Sequence, residues 1–165
     1  MNGGFFDEEY FTFYLGSVMY ATEVTNVKEV LHFEKLTRVP KSLPYLKGVM
    51  NIRNSVVTII DLRVLFGIDG DDDIESLPII VTEIGRGEEA PPMTLGIIAD
   101  NVNVVTKLES VPSDGLSYGI LENRRDFVKS VGKLNGQFVL ILDLPVVLRS
   151  IEEEIRSLTE DGHIG

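Results

Sequence analysis

The chain has 165 residues, 44% of them hydrophobic, enough to close one domain or two small lobes that share a core. It has no cysteine, which excludes a disulfide framework, a thiolate metal site and a cysteine nucleophile. A formal net charge of −11 disfavours nucleic acid and anionic membrane surfaces, because both are bound through clustered Lys and Arg.

In chain order, the N-terminus carries neither a basic region nor a long apolar one, so a secretory signal is not expected. Residues 9–15 place Phe11, Phe13 and Leu15 on one side in period two, the pattern of a half-buried strand. Gly16-Ser17 is the turn into a second strand over 18–24. Asn26 reads as an N-cap, and Val27, Val30 and Leu31 follow at helical spacing, which predicts a short helix over 27–32. Pro40 and Pro44 bracket an irregular connection. Over 48–60 two apolar runs flank Arg53-Asn54, the signature of a tight hairpin. Segments 78–84 and 93–109 are rich in Val, Ile and Leu and supply further strands, with an exposed loop over 85–92 between them. An irregular stretch over 110–126 precedes the last hairpin. Asp143 is a suitable N-cap for a terminal helix, with Pro145 in its first turn and Gly162 just past its end. The stripe Leu144, Leu148, Ile151, Ile155 and Leu158 is expected to pack back on the strands, since barely two heptads are too few for a coiled coil. The apolar run 138–148 is broken by Asp143 and Pro145, and no stretch approaches the roughly 20 apolar residues that cross a membrane.

Acidic residues concentrate at 69–75, 88–89 and 152–154, which read as solvated loops and a polar helix face. Asp69, Asp71 and Asp73 alternate as in a calcium loop, but the positions that require Gly and Glu are Ile74 and Ile80, so calcium is excluded.

The most informative feature is an internal repeat. Residues 49–62 align without gaps on 131–144, an offset of 82. Val49, Val57, Ile59, Asp61 and Leu62 recur as Val131, Val139, Ile141, Asp143 and Leu144. Arg53-Asn54 takes the place of Asn135-Gly136, a turn that needs positive φ at both centres, and Asn is the non-glycine residue that best tolerates it. Asn54, Asn135 and Gly136 are therefore structural turn residues. A period near 80 is too long for a solenoid and points to two similar β lobes.

Catalytic chemistry has little to work with. There are two histidines: His163 lies in a terminal tail expected to be disordered over 159–165, and His32 sits in an apolar context beside Leu31 and Phe33. No nucleophile elbow, phosphate loop or histidine pair at ligand spacing is present. The chain reads as a non-enzyme with no cofactor and no metal.

The segment Lys47-Gly-Val-Met-Asn-Ile-Arg-Asn-Ser-Val-Val-Thr-Ile-Ile-Asp-Leu-Arg63 resembles the signature of CheW-like domains, usually K-G-(V/I)-x-N-L-R-G-x-(V/I)-x-P-(V/I)-(V/I)-D-L-R. The resemblance continues upstream at Phe11-Thr-Phe-Tyr-Leu-Gly16 and downstream at Leu95-Gly-Ile-Ile-Ala-Asp-Asn-Val102 and Leu140-Ile-Leu-Asp-Leu144. It departs from the motif at Asn54, where the family has Gly, and at Thr58, where it has Pro. The resemblance implies a mainly β fold, with two intertwined five-stranded SH3-like barrels and a C-terminal helix, forming a single domain over 8–158. It also implies a cytoplasmic adaptor, recruited to membrane-associated receptor arrays, that couples chemoreceptor tips to the regulatory domain of the histidine kinase CheA. The receptor would sit in an apolar groove between the lobes, whose matching positions are Val27, Glu29, Val30, Gly48 and Arg53, with Glu29 and Arg53 as an ion pair. Kinase contacts do not carry over, because 110–126 departs from the family's spacing. The rival readings are a CheW-like module of a larger or CheV-like protein, disfavoured by the start at Met1 and the terminal helix, and a small β-barrel enzyme or ligand carrier.

Overall fold

The computed structural model describes residues 4–33, 35–39, 43–68, 73–88, 90–112 and 127–162, and among these it has ten strands, two single-turn 3-10 segments and two α-helices. Pro40, most of the first acidic run, most of the irregular 110–126 stretch and His163 lie outside the described residues. The strands are β1 (Phe5–Leu15), β2 (Val18–Glu23), β3 (Val27–Leu31), β4 (Leu46–Ile52), β5 (Ser55–Asp61), β6 (Ile79–Ile84), β7 (Met93–Ile98), β8 (Asn101–Ser110), β9 (Val128–Leu134) and β10 (Gln137–Leu142). Helix α1 is the single turn Leu62–Leu65, and α2 runs Leu144–Gly162, so Gly162 is its last residue rather than the first beyond it.

One element differs in kind from the sequence expectation. Residues 27–31 are strand, not helix, and Asn26 ends a 3-10 turn over Val24–Asn26. Its side-chain amide donates to Thr22 Oγ1 instead of capping a helix. The reason is local weakness against tertiary opportunity. Six residues are too few to sustain a helix unaided, whereas β6 offers a ladder to a segment containing two β-branched valines.

The strands form two sheets. β1, β2, β10, β9 and β8 close into a barrel, and β3, β6, β7, β5 and β4 form a five-stranded sheet in that order. The chain begins in the first lobe, builds the whole second lobe, and returns to complete the first. The first lobe cannot close until β8, β9 and β10 have come back beside β1 and β2.

The strands between the lobes are apolar on both faces. Val139 and Ile141 of β10 fill the first lobe with Tyr10, Met19, Ala21 and Leu108. Val57 and Ile59 of β5 fill the second with Met50, Ile79, Val81 and Ile98. The alternate residues Leu140, Leu142, Ile60, Ile80, Leu95 and Ile97 point the other way, into one core shared by both lobes. Helix α2 seals that core with Leu144, Val147, Leu148 and Ile151, while Ile155 lies past its edge and is 38% exposed.

The repeat is expressed in the ladders themselves. Val49 pairs with Thr58 as Val131 pairs with Leu140, so the two hairpins share one register. Each contains a bulge at the same place, at Lys47 and at Lys129, an identity that also falls on the 82-residue offset. Arg53, Asn54, Asn135 and Gly136 have φ of 52°, 67°, 51° and 81°, the positive values the turn chemistry requires. Each second strand then pairs in parallel with a strand distant in sequence, β5 with β7 and β10 with β2. Each capping Asp accepts as expected: Asp61 from the Arg63 amide at 3.0 Å and Asp143 from the Val146 amide at 3.3 Å.

The second lobe is closed by different means from the first. Its end strands, β3 and β4, do not share a ladder. Beyond β3, however, Thr37 crosses to β4 and exchanges two backbone hydrogen bonds with Val49, at 2.9 and 2.8 Å. Gly48 makes that crossing possible. Its φ is +148°, and a Cβ there would lie 2.2 Å from the Thr37 carbonyl oxygen.

A buried polar cluster ties the lobes together. Arg63, 2% exposed, donates from Nε and Nη2 to the two Asp61 carboxylate oxygens at 3.0 and 2.9 Å, and from Nη1 to Asp100 Oδ1 at 3.0 Å. Asp100 sits on the crossover from β7 to β8, and its other oxygen accepts from the Gly16 amide in the first-lobe β1–β2 turn at 2.6 Å. Helix α2 is held to the second lobe at its rim, where Tyr45 donates to Glu154 Oε1 at 2.5 Å and Arg86 pairs with Glu152 at 2.8 Å. Burial, reinforced by the Glu154 bond, holds the Tyr45 hydroxyl pKa well above its ordinary value.

Gly48→Ala should lower unfolding stability by about 2–5 kcal/mol, the sum of a strained φ and a clash with rigid backbone. Urea denaturation measures it, and a loss below that range would mean that Thr37 can leave β4 at little cost. Arg63→Met should cost about 3–5 kcal/mol by leaving the Asp61 carboxylate buried without its partner, read from the same denaturation curves.

Candidate functional site

The open seam of the second lobe, between end strands β3 and β4, is where two of the sequence-predicted residues, Glu29 and Arg53, meet. The β4–β5 turn holds the Arg53 backbone in the left-handed region and projects its side chain across the seam. Arg53 Nε donates to Glu29 Oε2 at 2.9 Å and Nη2 donates to Oε1 at 2.7 Å, a parallel, bidentate pair. Its two halves are unequally placed: the guanidinium side chain is 76% exposed and the carboxylate side chain 23%. The bonds from Arg53 hold the Glu29 carboxyl below its usual range, so the pair stays ionised through neutral and mildly acidic pH.

Clefts open on either side of the guanidinium. One, of about 400 Å³, lies against Lys28, Glu29, Ile52, Val57, Val81 and Thr94. The other, of about 240 Å³, lies against Leu31, His32, Met50, Asn51 and Ile52. Both have charged or polar rims and apolar floors formed by residues of the second-lobe core. Such a surface suits a partner that presents an apolar anchor flanked by polar groups.

Of the five residues assigned to the groove, the structure brings Glu29 and Arg53 into contact and separates the others. Val27 starts the same strand as Glu29 but is half-buried against the shared core, because a bulge at Lys28 breaks the strand's alternation. Val30 is 39% exposed and lines neither cleft. Gly48 lines neither cleft, and the space over its Cα is filled by Thr37 of its own chain. All five residues belong to the second lobe.

Two residues of the buried polar cluster escaped the sequence reading. Arg63 stands in the sequence reading only as the last residue of the family signature but is almost wholly buried, and Asp100 carries the link to the first lobe. For Arg63 the signal was the Asp-x-Arg spacing at 61–63 within an otherwise apolar run, which places a guanidinium beside a capping carboxylate, and nothing local marked Asp100. Val56, three residues past Arg53, was also passed over and is the most exposed large apolar side chain among the described residues, at 75%.

Nothing in this geometry arranges acid–base chemistry. The Glu29 carboxylate is ionised and fully engaged by Arg53, which makes it a weak base. Among the described residues no group of three or more His, Asp or Glu is placed to hold a metal ion. Nor is any described helix long and apolar enough to cross a membrane.

Comparison with known proteins converges on one family. A chemotaxis protein CheW from Klebsiella aerogenes is 27% identical over 145 residues, covering 88% of this chain and 84% of that protein. Another chemotaxis protein CheW, from Bacillus subtilis, is 27% identical over 141 residues, covering 86% of each chain. The crystal structure of a scaffolding protein, TtCheW, from Thermoanaerobacter tengcongensis superposes with a TM-score of 0.67 at 23% identity, over 82% of this chain and 88% of that one. The family model for the CheW-like domain matches residues 9–152, and the chain belongs to that family.

Proposed function

We propose that the chain is an adaptor of bacterial chemotaxis that couples the cytoplasmic tips of chemoreceptors to the regulatory domain of the histidine kinase CheA, through protein contacts and without catalysis. The observation that carries this reading is the Glu29–Arg53 pair. Glu29 and Arg53, two of the five positions that the family resemblance assigns to the receptor site, form a bidentate ion pair across the seam, beside clefts with apolar floors. The names and scaffolding role of the related proteins support it.

The geometry suggests how the surface works. An exposed ion pair adds little to folding, but a bidentate one fixes direction. Holding Arg53 on Glu29 keeps the hairpin tip over β3 and keeps the clefts on either side open. Val30 and Val56 offer exposed apolar surface near the pair in sequence, and Val27 backs β3 against the shared core. Gly48 acts one step removed, by letting Thr37 hold β4 in place. In this reading the protein works in the cytoplasm and joins membrane-associated arrays through its partners. A modest single contact suffices there, because many copies bind together.

Arg53→Asp places two carboxylates face to face across the seam. It should weaken binding to a receptor signalling tip by at least about tenfold while moving the melting temperature by no more than about 3 °C. Adding Glu29→Arg to that variant reverses the pair and should recover much of the binding. Titration calorimetry beside a thermal melt decides the matter, and full binding by the folded single variant would remove the pair from the receptor site.

A further inference from the structure

We propose that Arg63 is a positioning residue that sets the orientation of the two lobes, and that coupling between partners depends on this orientation. The inference rests on the adaptor reading above.

The lobes are joined by the shared apolar core, by the Arg63 cluster, and at the rim by the bonds of α2, which continues β10, to Tyr45 and Arg86. The shared apolar core is large, but burial of apolar surface is itself non-directional. The Arg63 cluster is directional. Its guanidinium is locked on Asp61 at the end of β5 by two hydrogen bonds and reaches Asp100 with a third nitrogen. Asp100 is fixed in turn to the first lobe, by its carboxylate on the Gly16 amide at 2.6 Å and by its own amide on the Tyr14 carbonyl at 3.0 Å. A path of hydrogen bonds thus runs from the strand that carries the Arg53 hairpin to the turn between β1 and β2. Ile68, just beyond α1, packs on the same turn, 3.2 Å from where a Gly16 Cβ would be.

Burial makes orientation the reason for the cluster. A guanidinium and a carboxylate that are 2% and 1% exposed lose their hydration on folding, and well-packed apolar residues in their place would stabilise the fold as well or better. What apolar residues could not supply is a fixed angle. An adaptor with one partner on the second lobe transmits force or occupancy to a partner elsewhere only if the lobes move as one body.

Asp100→Ala tests this. Asp100 is 26% exposed, so its removal leaves Arg63 paired with Asp61 and accessible to water, and the variant should fold. Because the chain lacks cysteine, spin labels at Glu75→Cys in the second lobe and Lys107→Cys in the first report the interlobe distance directly. The expected result is a broadened label distance. Affinities for a receptor tip and for a kinase regulatory domain, each measured alone, should stay within about threefold of the parent. The factor by which one partner raises affinity for the other should fall at least about tenfold. An unchanged label distance, unchanged coupling in the folded variant, or an equal loss of both single affinities overturns the proposal. Asp100→Asn, which can still accept from Arg63 but not from the Gly16 amide at the same time, should fall between the two. A parent chain that binds neither partner overturns the adaptor reading, whereas the label distances support or overturn the clamp independently of it.

Discussion

The constraint on which the rest depends is that the strands between the lobes, past their exposed ends at Val56 and Phe138, are buried on both faces. β5, β6, β7 and β10 each send alternate side chains into a lobe core and into the core between the lobes. Their neighbours are therefore fixed twice, once by the ladder and once by packing. A one-residue slip in any of them would exchange the two sets of side chains, and Gly96 shows how tight that fit is. A Cβ there would lie 2.5 Å from Ile59.

Such a body is well suited to presenting surfaces and poorly suited to enclosing ligands. Its interior is occupied by its own side chains, and the polar groups that penetrate it are matched. Thr12 and Thr82 satisfy backbone groups on neighbouring strands, and Arg63 is satisfied by two carboxylates. What remains for function is the rim. At the seam between β3 and β4 the described residues are joined by the Thr37–Val49 backbone bridge and the Glu29–Arg53 ion pair instead of a full ladder. Closure there depends on Gly48, which touches no cleft but lets Thr37 reach β4.

The duplicated hairpin clarifies how the two lobes came to differ. The turn, register, bulge and capping aspartate are shared, and each second strand finds a parallel partner from a remote part of the chain. Beyond the cap the two copies diverge. Leu144 opens a helix of 19 residues that seals the shared core, whereas Leu62 opens a single turn that brings Arg63 back onto Asp61. One copy ends in an apolar seal, the other in a buried ion pair.

The sequence by itself determined the hairpins, their turns, the capped terminal helix and the repeat, because each rests on contacts between residues close in the chain. Period-two apolarity needs only a neighbouring strand, and positive φ at Asn54, Asn135 and Gly136 is a property of the turn alone. The same locality misled it at 27–31, where Val27, Val30 and Leu31 fit a helix as well as a strand and β6 decided between them. The Glu29–Arg53 pair was legible only through resemblance, since nothing local links Glu29 to an arginine 24 positions away. Tertiary structure alone decided which arginine is exposed and which buried. Arg53 and Arg63 lie in similar polar–apolar surroundings, and only the folding of Asp100 and Gly16 over α1 takes the second out of water and leaves the first in it.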